Sequence, residues 1–178
     1  MIKRISFGEV DPSPAAHRVA VCTVLPDLTP DVAHDRVLLE WFDDLPEPNG
    51  APCMVVDEHV VRGADWLDQR WRAGGPRLKH MALAARAPDL TAEEFSERWR
   101  RHAGSVGTTP IPEVARGQAY VQDHPLPGDW AYDAVTEVWF DDEAGLRARI
   151  AFFDEVGIAG AGDLVRDASF LAVREDPF

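Results

Sequence analysis

A histidine can take or give a proton near neutrality, and three stretches of the chain set one among other polar side chains. "SERWRRHAGSVG" (96–107) brings a run of helix formers to His102, after which only small residues follow. In "GQAYVQDH" (117–124), strand alternation puts Gln118, Tyr120, Gln122 and His124 on one face. In "AVTEVWFD" (134–141) it puts Glu137 and Trp139 opposite Thr136, Val138 and Phe140. With the latter three under helices, Glu137 and Trp139 are expected to point into a space between two sheets, and Tyr120, Gln122 and His124 to face it with them. His80, alternating with Ala82 and Ala84, could enter the same space or stay a packed strand histidine. Such a mixture on an enclosed surface suits a small-molecule pocket, and equally a hydrogen-bonded core network. His102 has two readings as well: the helix dipole would favour its protonated form, fit for an acid or anion-holding role, or it only caps its own helix carbonyls.

Positioning these residues requires regular elements. "RLKHMALAARAP" reads as a strand stopped by Pro88, and Thr91 with Glu94 three residues on forms a capping box for a helix that aligns Phe95, Trp99 and His102. Two strands follow, joined by "PLPGDWA", then a helix with Leu146, Ile150 and Phe153 on one face, and a closing strand at "ASFLAVRED". The order β-α-β-β-α-β over residues 76–178 predicts an α+β, ferredoxin-like module. Residues 1–63 resemble its last four elements, with "WFDDL" set beside "FFDEV", which predicts a preceding β-β-α-β half-module. Residues 64–75 then form a linker, and the two antiparallel sheets face each other as an α+β barrel.

Several of these stretches resemble the EthD-like family of the dimeric α+β barrel superfamily. "LTAEEFSERWRRHA" is similar to that family's helix ending in Trp and His-Ala, "AYVQDH" to its Tyr-Val-Gln-Asn-His strand, and "YDAVTEVWFDD" to its Glu-Leu-Trp-Phe strand. Two departures stand out: Gly104-Ser105 replaces the usual Pro-Leu, and Asp123 stands where Asn is usual. The resemblance implies facing sheets around a cavity, commonly across a homodimer interface, and His102 and His124 as catalytic candidates. Tyr120 could then donate to a developing enolate and Glu137 could orient a histidine. His80, Trp99, Gln122 and Trp139 would contact substrate, the tryptophans as walls. The implied activity is cofactor-independent acid/base chemistry on a small, hydrophobic, aromatic or polyketide-like carbonyl compound, as in cyclases, dehydratases, decarboxylases and cofactor-free monooxygenases. A non-catalytic binder of a hydrophobic metabolite is the alternative reading, and a haem protein with a histidine ligand a more distant one.

Composition narrows the classes. A formal net charge of −13 over 178 residues disfavours nucleic acid. Two cysteines without CxxC give no disulfide scaffold, and no run of apolar residues suits a signal peptide or a membrane span, so a cytoplasmic location with no membrane partner is expected. GxGxxG, GxxxxGK[ST] and HExxH are absent, so no cofactor and no metal are expected. Asp57, Glu58, His59 and Asp65 are close in sequence, but alternation splits them between faces and predicts a solvated strand edge.

Overall fold

The computed structural model describes residues 1–30, 32–47, 52–101, 105–106, 109–156 and 163–177. Strands β1 (Ile2–Phe7), β2 (Arg18–Val24), β3 (Arg36–Phe42) and β4 (Cys53–Arg62) come first. Helix α1 (Ala64–Ala73) leads to β5 (Arg77–Arg86) and α2 (Ala92–Arg100). A two-stranded ribbon, β6 (Ser105–Val106) and β7 (Thr109–Pro110), and the short α3 (Glu113–Arg116) precede β8 (Ala119–Pro125) and β9 (Ala134–Phe140). Helix α4 (Glu143–Val156) and β10 (Val165–Pro177) close the described chain.

Eight strands form one closed antiparallel barrel in the order β1-β3-β2-β10-β5-β9-β8-β4. This corrects the expected ferredoxin-like α+β arrangement of facing sheets. The physical reason lies in residues 1–62, which make four strands with no helix between them among the described residues. "RVLLEWF" is strand β3, so "WFDDL" is not the helical counterpart of "FFDEV". Its inward side chains Val37, Leu39 and Trp41 join the barrel core, while outward Glu40 is buried by a fork from Arg4 Nε at 2.8 Å and by the Ser13 amide at 2.7 Å. A strand sealed on both faces loses the alternation that would have identified it. With four strands from each half of the chain, the edges meet at β4–β8 and β2–β10, and no edge of the barrel is left unpaired.

The segment expected as a linker is largely α1, entered through Gly63 at φ 81° and left through Gly74 at φ 67°. Its Trp66 and Leu67 pack on Ala119, Val121 and Trp139, and Trp71 meets Trp41 edge-on at 5.5 Å, so the helix covers one end of the barrel. At Gly117, φ is also 67°, and an added Cβ would sit 2.4 Å from the Trp139 carbonyl oxygen, so only glycine lets β8 start so close to β9.

Helices α2 and α4 lie on the outside. Phe95 and Trp99 of α2 pack over Ala84 and Ala134, and Leu146 and Ile150 of α4 over Val138, Phe140 and Ala172. The capping box of α2 is present in full, the Thr91 side chain accepting from the Glu94 amide and the Glu94 carboxylate accepting from the Thr91 amide. Among the described residues no helix is long and apolar enough to cross a membrane.

Candidate functional site

Antiparallel pairing decides which candidate residues meet, because directly opposite residues share a face. Val121 is opposite Glu137 and Ala119 opposite Trp139, whereas Tyr120 is opposite Val138 and Gln122 opposite Thr136. On the other side of β9, His80 is opposite Val138 and Lys79 opposite Trp139. Glu137 and Trp139 therefore face the barrel interior, and His80, Tyr120, Gln122 and His124 face outward beneath the helices. The expectation that all of them share one space is corrected: the sheet itself separates them.

The outward set forms a layer between strands and helices, floored by the small side chains Ala82, Ala84, Ala134 and Thr136. Gln122 Nε2 donates to the Trp99 carbonyl oxygen at 3.1 Å and to the Tyr120 hydroxyl at 3.0 Å, tying β8 to the last turn of α2. Trp99 stacks on Phe95 at 5.4 Å. Three buried polar atoms here have no partner among the described residues: Trp99 Nε1, Gln122 Oε1 and His124 Nε2. Burial, then the charges of Arg100 and His59, lower the His124 pKa to about 4, so its imidazole is neutral at physiological pH. Burial pushes the Tyr120 pKa up against partial relief from Gln122, Arg149 and Arg62, leaving a protonated hydroxyl. His80 packs in a three-ring cluster with Phe153 and Phe170, its ring centroid 5.6 and 5.4 Å from theirs and theirs 5.0 Å from each other, and Arg149 Nε donates to its Nδ1 at 3.2 Å. His102 lies outside the described residues, two beyond the last residue of α2.

An open groove of about 920 Å³ adjoins this layer between α2 and the loop 125–133. Pro125, next to His124, and Arg100, whose charge His124 feels, both line it.

The inward set is a closed ionic network. Lys3 Nζ contacts Glu58 at 2.8 Å, Asp123 at 2.7 Å and Glu137. Lys79 Nζ contacts Glu137 and, at 2.6 Å, Glu175, which also takes Arg77 at 3.2 Å. Trp41 Nε1 donates to Glu58 at 3.0 Å and Trp139 Nε1 to Glu175 at 3.4 Å. Burial, the nearby Glu137 charge and Glu58 hold the Asp123 pKa well above its usual range against the pull of Lys3. Burial alone would also raise Glu137, but Lys3 and Lys79 hold it down. Asp123 is thereby pushed toward its neutral form, and with it neutral the carboxylates of Glu58, Glu137 and Glu175 balance the three cations Lys3, Lys79 and Arg77. Carboxyl oxygens of Glu58, Asp123 and Glu137 lie within 4.8 Å of one another, a spacing that could hold a metal ion, but the Lys3 ammonium already contacts all three. Lys3, Lys79, Asp123 and Glu137 have no solvent exposure, and their contacts tie β1, β5, β8 and β9 together from inside the barrel. Glu58 belongs to this interior rather than to a solvated edge.

Sequence reasoning missed Arg149 and the basic half of the network. The signal for the network was present, since Arg77 and Lys79 alternate in phase with Met81 and Leu83, and Lys3 with Ile5 and Phe7. Charges in phase with an apolar face call for opposite charges on a neighbouring strand.

Compared with protein-family models, the chain matches none. Comparison with curated proteins gives no match either.

Proposed function

We propose that the layer between the outer face of β5, β9 and β8 and the helices α2 and α4 takes a small, largely apolar carbonyl compound, and that histidine moves a proton next to its carbonyl without a cofactor. The carrying observation is the trio Trp99 Nε1, Gln122 Oε1 and His124 Nε2, buried in one layer with no partner among the described residues. An unsatisfied buried polar group costs roughly 1–3 kcal/mol, and a ligand bearing donors and acceptors removes that cost.

The roles follow from the chemistry of each atom. A neutral imidazole with an open Nε2 can accept a proton from carbon; the C–H electron pair becomes the enolate, and negative charge develops on the carbonyl oxygen. Tyr120 and the Trp99 indole N–H are donors for that oxygen. An imidazole held as weakly basic as His124 suits a C–H flanked by two carbonyls, as in polyketide-like compounds, which loses its proton more readily than a simple ketone. Cyclisation, dehydration, decarboxylation or reaction with oxygen can each follow. The EthD-like resemblance over residues 78–176 supports the reading, and in it His102, as a second acid or base, completes the set.

Native mass spectrometry of the protein purified from its own host, followed by denaturing release, tests the proposal by delivering the bound compound. Turnover of that compound is expected to fall in His124→Ala and His102→Ala. Turnover unchanged in both variants overturns the mechanism, and recovery of the compound unaltered, with both histidines dispensable, makes the layer a binding site only.

A further inference from the structure

Arg149 is a buried cation with no anion beside it among the described residues. Its side chain on α4 is 5% exposed. Two of its donors are used, Nε to His80 Nδ1 at 3.2 Å and a terminal nitrogen to the Ala115 carbonyl oxygen at 2.9 Å. Both acceptors are neutral. A guanidinium has five N–H donors, so three are without an acceptor among the described residues. Burial lowers its pKa to about 10, so Arg149 keeps its charge at neutrality, and the nearby Arg62 adds more of the same sign.

The bond to His80 has a second consequence. A histidine whose Nδ1 accepts must carry its proton on Nε2, the reverse of the carboxylate-oriented histidine that keeps Nδ1–H and offers Nε2 as a base. His80 is thereby a fixed donor, and among the described residues no acceptor takes its Nε2–H. Burial and the Arg149 charge hold its pKa well below the ordinary range, so it stays neutral. Aromatic surface surrounds the pair: Phe153 and Phe170 stack on the imidazole, and Arg149 lies over Phe153 at 4.9 Å. Tyr120 stands in the same cross-strand row as His80, through Val138.

Resting on the functional reading above, we infer that Arg149 and His80 form an oxyanion-binding pair, and that the compound taken by the layer is aromatic and carries an oxygen anion, a carboxylate or an ionised phenol or enol. The anion neutralises Arg149, the fixed Nε2–H of His80 donates to it, and the Phe153–Phe170 pair offers the ring an aromatic surface to pack on.

The test uses the full chain, with arginine and histidine side chains labelled with nitrogen-15, and two probes that differ in charge: salicylate and its neutral amide. Without a probe, His80 is expected as the Nε2–H tautomer. Salicylate should shift the Arg149 Nε and His80 Nε2 signals saturably, with the amide much weaker. Arg149→Met should weaken salicylate by roughly thirtyfold or more, the scale for truncating one member of a buried charge pair. Arg149→Lys, which keeps the charge and loses the planar fork, should recover part of the affinity, and it decides the matter should the Met variant fail to fold. An Nδ1–H or protonated His80 at neutral pH, or equal binding of salicylate and the amide, overturns the pair. Where both probes move the Trp99 and Gln122 side-chain signals without preference for charge, only the pair falls and the layer keeps its role. Where neither probe moves any of these signals, both are overturned.

Discussion

At the scale of single residues, the two faces of β8 have opposite electrostatics. His124, outward, is neutral because burial penalises its charge, so its base form should persist well below the range of a free histidine. The acid limb of the pH–rate profile for the bound compound is expected near pH 4, and a limb near 6.5 would mean that another group is the base. Linkage gives the stability effect its sign. The unfolded chain takes up this proton near pH 6.5 and the folded chain only near 4, so folding stability falls as pH drops between them and the loss levels off below. Denaturant titrations of wild type and His124→Asn across that window should differ in slope, the variant being flatter. Inward, burial and neighbouring carboxylates push Asp123 toward its neutral form, while Lys3 and Lys79 hold Glu137 ionised. Replacing Glu137 with Gln removes the carboxylate that Lys3 and Lys79 share, which Asp123 by ionising can replace at Lys3 but not at Lys79, and should cost about 3–5 kcal/mol of stability by urea unfolding. Wild-type stability in that variant would show the network to be dispensable.

At the scale of elements, what the sequence made legible was whatever depends on near neighbours along the chain. Thr91 and Glu94 announce the start of α2, and Thr91→Ala is expected to lower thermal stability by about 1 kcal/mol, with Ser restoring most of it. The alternation of "AVTEVWFD" sorts Glu137 from Val138 correctly. The same rule applied to "GQAYVQDH" gives the right two faces but not which of them meets Glu137, because that depends on pairing across the barrel, where Val121 rather than Tyr120 stands opposite. "WFDDL" shows the other limit: Trp41 and Phe42 are apolar neighbours, and only a fork from Arg4 to Glu40, 36 residues apart, makes both faces of β3 dry. Arg149 was invisible for a related reason, since an arginine on an amphipathic helix reads as solvated until α3 and His80 enclose it.

At the scale of the whole molecule, eight strands closing on themselves leave an interior packed at one end with apolar side chains and at the other with ions, the latter end covered by α1. The small floor residues and the polar atoms without a partner among the described residues lie outside the barrel, beneath the helices, where the proposed function is placed. The chain's first four strands occupy one unbroken arc, β4-β1-β3-β2, and its later four the other, β10-β5-β9-β8. The ionic network is divided between them, Lys3 and Glu58 in the first arc, and Arg77, Lys79, Asp123, Glu137 and Glu175 in the second. Neither arc has its strand edges paired without the other, and Lys3 of the first arc has two of its three ion contacts, Asp123 and Glu137, in the second. Cutting the chain between Gly74 and Gly75 should therefore yield two fragments that are poorly soluble apart and recover a cooperative melt when refolded together. A barrel that reassembles on that condition would serve as a split reporter, in which two proteins of interest, each fused to one fragment, announce their encounter by restoring the fold.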